Sequence, residues 1–132
     1  MENQIIVIDT DIIINYFKAG APSLEKYLRL QAQDKLTLKV SSVTVFEYFS
    51  GVSLLAKDQY YQAEELFKQF SIQEVNEQIA KIAAQINYER KLYQYINLAD
   101  ILIGATALYL DASLLTENQK HFKLIPALEF AQ

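Results

Sequence analysis

Four consecutive aliphatic residues, Ile5 to Ile8, run directly into Asp9, Thr10 and Asp11. A continuous β-branched run this short reads as a strand buried on both faces, at the centre of a parallel sheet. Asp9 then stands at the carboxyl end of that strand, where open α/β sheets bind ligands. Beyond it, helical and extended periods take turns. Ile12 to Phe17 predicts a short helix, capped by Asp11 and closed by Gly20, and Pro22 to Gln33 predicts a second. Leu36 to Val40 alternates as a strand, and Ser41-Ser42 opens a third helix over Val43 to Leu55. Asp58 caps a fourth helix with Tyr61 and Phe67 turned inward, and Phe70 to Ile72 suggests a short strand. Asn76 opens a longer helix with the stripe Ile79, Ile82, Ala83 and Ile86, and Asn97 caps Leu98 to Leu110. Ser113 to Thr116 reads as a strand, Glu117 to Phe122 as a helical turn, and Lys123 to Ile125 as the last strand. Short strands separated by helices define an α/β fold of three α/β/α layers around a central, mainly parallel sheet.

Length and composition narrow the class. The 132 residues suit a single domain, 1–132, with enough chain to bury a core unaided. The absence of cysteine excludes disulfides and thiolate zinc sites. Met1 to Gln4 carries no basic segment of the kind that begins a signal peptide. The longest apolar stretch, Ile101 to Leu110, is too short to cross a bilayer. The expectation is a cytoplasmic protein without a membrane partner. Its net charge of −4 offers no general attraction to nucleic acid. Such a substrate needs a local basic patch or bound cations.

Several carboxylates fall where a core is expected. Asp9 and Asp11 each have an alternative reading as a helix cap, the stronger for Asp11. Glu47 lies in an apolar helix among Val43, Val45, Phe46, Tyr48 and Phe49, where an unpaired carboxylate costs several kcal/mol. It calls for a cation, a metal or a wet groove, or for a lysine or arginine partner. The residues one turn away, Val43, Thr44, Ser50 and Gly51, are mostly small and suit the border of a cleft. Asp100 sits three residues after Asn97, where it can serve the helix N-terminus. Gly104 in the next turn costs about 1 kcal/mol relative to alanine and signals a close approach. Asp100 is therefore expected to face an open site. Thr116 and Asn118 bring oxygens to the same sheet edge as Asp9 if the strands are parallel, or else form a polar turn.

The order of Val7-Ile8-Asp9-Thr10-Asp11, Ser42-Val43-Thr44-Val45-Phe46-Glu47, Ala99-Asp100-Ile101-Leu102-Ile103-Gly104-Ala105-Thr106-Ala107 and Leu114-Leu115-Thr116-Glu117-Asn118-Gln119-Lys120-His121-Phe122 resembles a PIN domain. Within that family it is most similar to the VapC-type ribonuclease toxins of toxin–antitoxin systems. The resemblance implies a PIN-like fold and catalytic, metal-binding acids at Asp9, Glu47 and Asp100, supported by Thr116, Asn118 and Asp11. The family's fourth acidic position falls at Asn118, an amide, with Glu117 a weaker substitute. The resemblance further implies RNA as substrate, 5′-phosphate products, a cognate antitoxin and a homodimer.

Oxygen-only ligands suit Mg²⁺ or Mn²⁺, hard cations that activate water and offset phosphate charge. His121 is read as a surface residue of a polar turn. Arg90 and Lys91 are candidates for steering the phosphate, or else complement a helix carboxyl end. Tyr93 and Tyr95 are candidates for stacking on bases. Two other readings compete. One is a PIN module that binds RNA or protein without cutting, favoured by Asn118. The other is a haloacid-dehalogenase-type phosphatase with Asp9 as nucleophile and Asp11 as general acid, which leaves Glu47 and Asp100 without a role. A response-regulator receiver lacks the acid it requires after a middle strand such as Val40-Ser41.

Overall fold

The computed structural model describes residues 3–20, 22–52 and 57–132, so the expected extension of the third helix to Leu55 lies outside the described residues. The described residues form five strands, β1 Gln4–Ile8, β2 Leu36–Ser41, β3 Ser71–Gln73, β4 Ser113–Leu115 and β5 Glu129–Phe130. The helices are α1 Thr10–Ala19, α2 Pro22–Ala32, α3 Ser42–Val52, α4 Lys57–Phe67, α5 Glu77–Arg90, α6 Leu98–Tyr109 and α7 Gln119–Phe122, with a 3-10 turn at Leu92–Gln94. The sheet order is β3-β2-β1-β4-β5 and every pairing is parallel.

The aliphatic run occupies the central strand. Successive side chains of a strand point to opposite faces, and β1 uses that alternation to build two cores. Ile6 and Ile8 join Ile12 and Ile13 of α1, Leu24 and Tyr27 of α2, and Leu66 and Phe67 of α4. Val7 faces the other way, into Ile79, Ala83 and Ile86 of α5 and Ile101, Ile103 and Ala105 of α6. Both faces of the sheet are thus covered, which completes the three layers and explains why Ile5 to Ile8 of β1 are all aliphatic.

Local signals place most helices. Asn76 and Asn97 cap α5 and α6, accepting from the N–H groups of Ile79 and Asp100 at 2.8 Å each. Ser41 Oγ accepts from the Val43 N–H at 3.0 Å as α3 begins.

Several details differ from the sequence reading. Asp9 rather than Asp11 caps α1, because the helix begins one residue after the strand, at Thr10. Asp58 lies in the first turn of α4, and Tyr61 faces solvent at 63 % exposure while Ala63, Leu66 and Phe67 take the inner side. Lys123 to Ile125 is not a strand: its N–H groups bond locally, to the carbonyls of Gln119, His121 and Phe122, and extend the α7 turn. The last strand follows at Glu129–Phe130, beside β4, with the Ala131 N–H on the Leu114 carbonyl at 2.9 Å.

Gly104 answers to packing. A Cβ there would collide with Ile125 Cδ1, so the close approach inferred at this glycine comes from the buried Ile125 and not from a ligand.

Candidate active site

The chain leaves β1 for β2 on one side and returns through β4 on the other, so the crevice at a topological switch point opens beyond the carboxyl ends of β1 and β4. Asp9 follows β1 and Thr116 follows β4. Their strands are in register, Ile8 opposite Leu115, and the Asp9 N–H donates to the Leu115 carbonyl at 2.9 Å. Only 5 % of Asp9 is exposed. Its Oδ1 accepts the Thr10 N–H at 2.7 Å and its Oδ2 accepts the Thr116 hydroxyl at 2.7 Å. Thr116 Oγ1 in turn accepts the Asn118 N–H at 3.0 Å.

Two further elements bring acids to this point. The start of α1 packs on α3, and the Thr10 hydroxyl reaches Glu47 Oε1 at 2.8 Å and Thr44 Oγ1 at 3.1 Å. Asp100, in the first turn of α6, directs Oδ2 toward His121 Nε2 at 3.8 Å. Asn118 Nδ2 stands 2.9 Å from His121 Nδ1. With the amide donating, Nδ1 accepts and the ring proton of the neutral imidazole falls on Nε2, facing Asp100.

The electrostatics record the crowding. Burial, then the neighbouring Asp11 carboxyl, push the Asp9 carboxyl from 3.8 up to about 8; the Thr116 hydroxyl opposes them and Asp100 adds a smaller upward push. Burial also raises the Asp100 carboxyl, with His121 opposing and Glu47 and Asp11 adding to the rise. Asp9, Asp11, Glu47 and Asp100 therefore share one region of negative potential. Two buried atoms there, Asp11 Oδ1 and His121 Nε2, have no hydrogen-bond partner among the described residues. Such orphans call for a water, an ion or a substrate.

These residues fit a hard divalent cation by donor chemistry: all four acids offer oxygen, and added positive charge would relieve the repulsion that raises Asp9 and Asp100. Among the described residues, no three histidine or acidic side chains already form a closed cation-holding group. Threonine hydroxyls hold Asp9 and Glu47, while Asp100 and Asp11 approach without such a bond.

Beside Glu47 a groove of about 450 Å³ runs between α1, α3 and α4, lined by Ile14, Phe17, Lys18, Tyr48 and Gly51 among others. Of the small residues near Glu47 that suited the border of a cleft, Gly51 lines this groove, whereas Thr44 is buried. Glu117 accepts a hydrogen bond from Asn15 Nδ2 of α1. Arg90 and Lys91 are exposed at the carboxyl end of α5, Lys91 as its left-handed C-cap. Tyr93 and Tyr95 are also exposed.

His121 departs from its expected surface role, being half-buried against Asp100. Thr10 and Thr44 were not singled out by sequence reasoning. Their signal was weak, since only the position of Thr10, between two aspartates at a strand end, hinted at the site.

A buried acid at the switch point of a parallel sheet, joined there by acids from three helices, defines an α/β protein with an acidic crevice at its sheet edge. The family model for the PIN domain matches residues 6–128, and the chain belongs to that family. It is 30 % identical to ribonuclease VapC19 of Mycobacterium tuberculosis, over 93 % of this chain and 96 % of that protein. Among solved structures it is similar to VapBC-1 of nontypeable Haemophilus influenzae, at 26 % identity and a TM-score of 0.81 over 98 % of each chain. The fold also matches VapBC2 of Rickettsia felis bound to a promoter DNA fragment, with a TM-score of 0.86, 24 % identity, and 97 % and 98 % of the two chains covered. Membership of the PIN family sets the phosphatase and receiver readings aside. Among the described residues no helix is long and apolar enough to cross a membrane.

Proposed function

We propose that this chain is an endoribonuclease of the VapC toxin type that hydrolyses RNA phosphodiester bonds and is inhibited by a cognate antitoxin. The observation that carries the reading is the placement of Asp9, Asp11, Glu47 and Asp100 around one switch-point crevice, with Asp9 raised to about 8 by burial and by its acidic neighbours. The ribonuclease relative, matched along nearly its whole length, and the VapBC assemblies among the structural neighbours support the activity and the partner.

Asp9, Glu47 and Asp100 are the proposed ligands of Mg²⁺ or Mn²⁺, with Asp11, Thr116 and Asn118 in support. When bound, such an ion supplies positive charge to the scissile phosphate and acidifies an attacking water. Thr116 holds Asp9 through Oδ2 and the Thr10 N–H holds it through Oδ1, so its carboxylate keeps one orientation. His121 places a ring nitrogen 3.8 Å from Asp100. Arg90 and Lys91 are proposed to draw phosphate toward the site, and Tyr93 and Tyr95 to receive bases; their exposure permits both. A homodimer and a cytoplasmic location complete the proposal.

A second reading rests on Asn118. Its amide engages His121 and supplies no carboxylate, as in a module that binds without cutting. Incubating the purified chain with mixed tRNA and ribosomal RNA in Mg²⁺ or Mn²⁺, beside Asp9→Asn, separates the two. Discrete cuts lost in the variant support the nuclease, and cation binding without any cut favours the module.

A further inference from the structure

Thr10 connects two acids that the chain supplies from different elements. It is the first residue of α1, directly after Asp9, and its N–H donates to Asp9 Oδ1 at 2.7 Å. Its hydroxyl, 2.8 Å from Glu47 Oε1 and 3.1 Å from Thr44 Oγ1, has a single proton to give. A carboxylate only accepts, so Thr10 donates to Glu47 and Thr44 donates to Thr10. The relay therefore runs in one direction, from Thr44 through Thr10 to Glu47.

Burial enforces this arrangement. Thr10 is 8 % exposed and Thr44 fully buried, and a hydroxyl there costs about 1–3 kcal/mol unless it is hydrogen-bonded. Thr44 and Glu47 lie three residues apart on α3, on one helix face, and that face meets the start of α1. Glu47 itself borders the groove, where a long side chain has room to rotate. Losing the hydrogen bond to Thr10 would release those rotamers and the entropy that goes with them.

We propose that Thr10 is a positioning residue, whose backbone N–H and side-chain hydroxyl hold Asp9 and Glu47 in a common orientation for a divalent cation. The proposal rests on the reading of Asp9 and Glu47 as cation ligands. Groups that orient metal ligands act through those ligands, and losing one typically weakens metal affinity about 10–100-fold.

The test is Mn²⁺ binding to the full chain, followed by the loss of the free-ion electron paramagnetic resonance signal, for wild type, Thr10→Val, Thr10→Ser, Asp9→Asn and Glu47→Ala. Metal-free urea unfolding checks that each variant is folded, and Thr10→Ala replaces Thr10→Val where the valine does not fit. Thr10→Val, which keeps the shape and loses the hydroxyl, is expected to bind about tenfold more weakly or worse, while Thr10→Ser stays close to wild type. Added to Glu47→Ala, Thr10→Val should weaken binding no further. Wild-type affinity in Thr10→Val, equal losses in the serine and valine variants, or an undiminished loss in the Glu47→Ala background would each overturn the proposal. Unchanged binding by Asp9→Asn would instead overturn the ligand reading beneath it.

Discussion

Thr116 and Asp9 meet across neighbouring parallel strands, the Thr116 hydroxyl donating to Asp9 Oδ2 at 2.7 Å while its oxygen accepts the Asn118 N–H at 3.0 Å. One hydroxyl thus couples the central acid to the loop after β4. Thr116→Val keeps the side-chain shape and removes both bonds inside a buried site. It is expected to lower stability by about 1–3 kcal/mol, read from urea unfolding of the metal-free protein. A valine variant as stable as wild type would show that this bond contributes nothing net.

The raised Asp9 carboxyl makes stability depend on pH. Folded, the group titrates at about 8; unfolded, near its ordinary 3.8. Between those values the folded chain holds a proton that the unfolded chain has lost, so stability falls as pH rises and the loss levels off above about 8. The slope from this group is about 1.4 kcal/mol per pH unit at most. Asp9→Asn should flatten the metal-free stability profile from pH 5 to 8. Parallel profiles for the two proteins would contradict the placement of Asp9.

Cation binding should show the opposite trend. An ion held by Asp9 must displace its proton, so the rise in melting temperature on adding Mn²⁺ is expected to grow from pH 5.5 to pH 8, a range that ends at the raised Asp9 value of about 8. The effect should disappear in Asp9→Asn and Asp100→Asn. A stabilisation by Mn²⁺ that is independent of pH, or unchanged in both variants, would place the ion elsewhere.

Gly104 is required by Ile125 Cδ1, which occupies the space of a Cβ. Gly104→Ala gains up to about 1 kcal/mol in helix propensity, set against about 1–3 kcal/mol of overpacking. Net destabilisation is expected. Ile125→Val removes the colliding methyl group, so the double variant should be more stable than the sum of the two single effects allows. Strict additivity in urea unfolding would contradict the contact.

Particular residues mark what the sequence disclosed. The aliphatic run ending at Asp9 located the central strand and the switch-point acid, because a strand buried on both faces has no reason to be polar. Asn76 and Asn97 announced their helices through side chains that act within one turn. Features decided at longer range were hidden. β5 has two residues and is defined by its partner β4, so no local pattern marks it, and the apolar Leu124-Ile125 drew the prediction to a turn instead. Tyr61 looked suited to the core by type but falls on the outer face of α4. The approach of Thr10 to Glu47 spans 37 positions, and that of His121 to Asp100 depends on where α7 turns. Neither pair carries a periodic signature.

The most direct test of carboxylate-held cation hydrolysis is end-group analysis of the RNA fragments released by the purified chain in Mn²⁺, with a chelator control and the Asp9→Asn protein alongside. Attack by water on the phosphorus is expected to leave 5′-phosphate ends, with no cutting in the chelator or by Asp9→Asn. Fragments ending in 2′,3′-cyclic phosphate that form equally well in the chelator would mean that the RNA's own 2′-hydroxyl is the nucleophile, and would contradict the assignment of Asp9, Glu47 and Asp100.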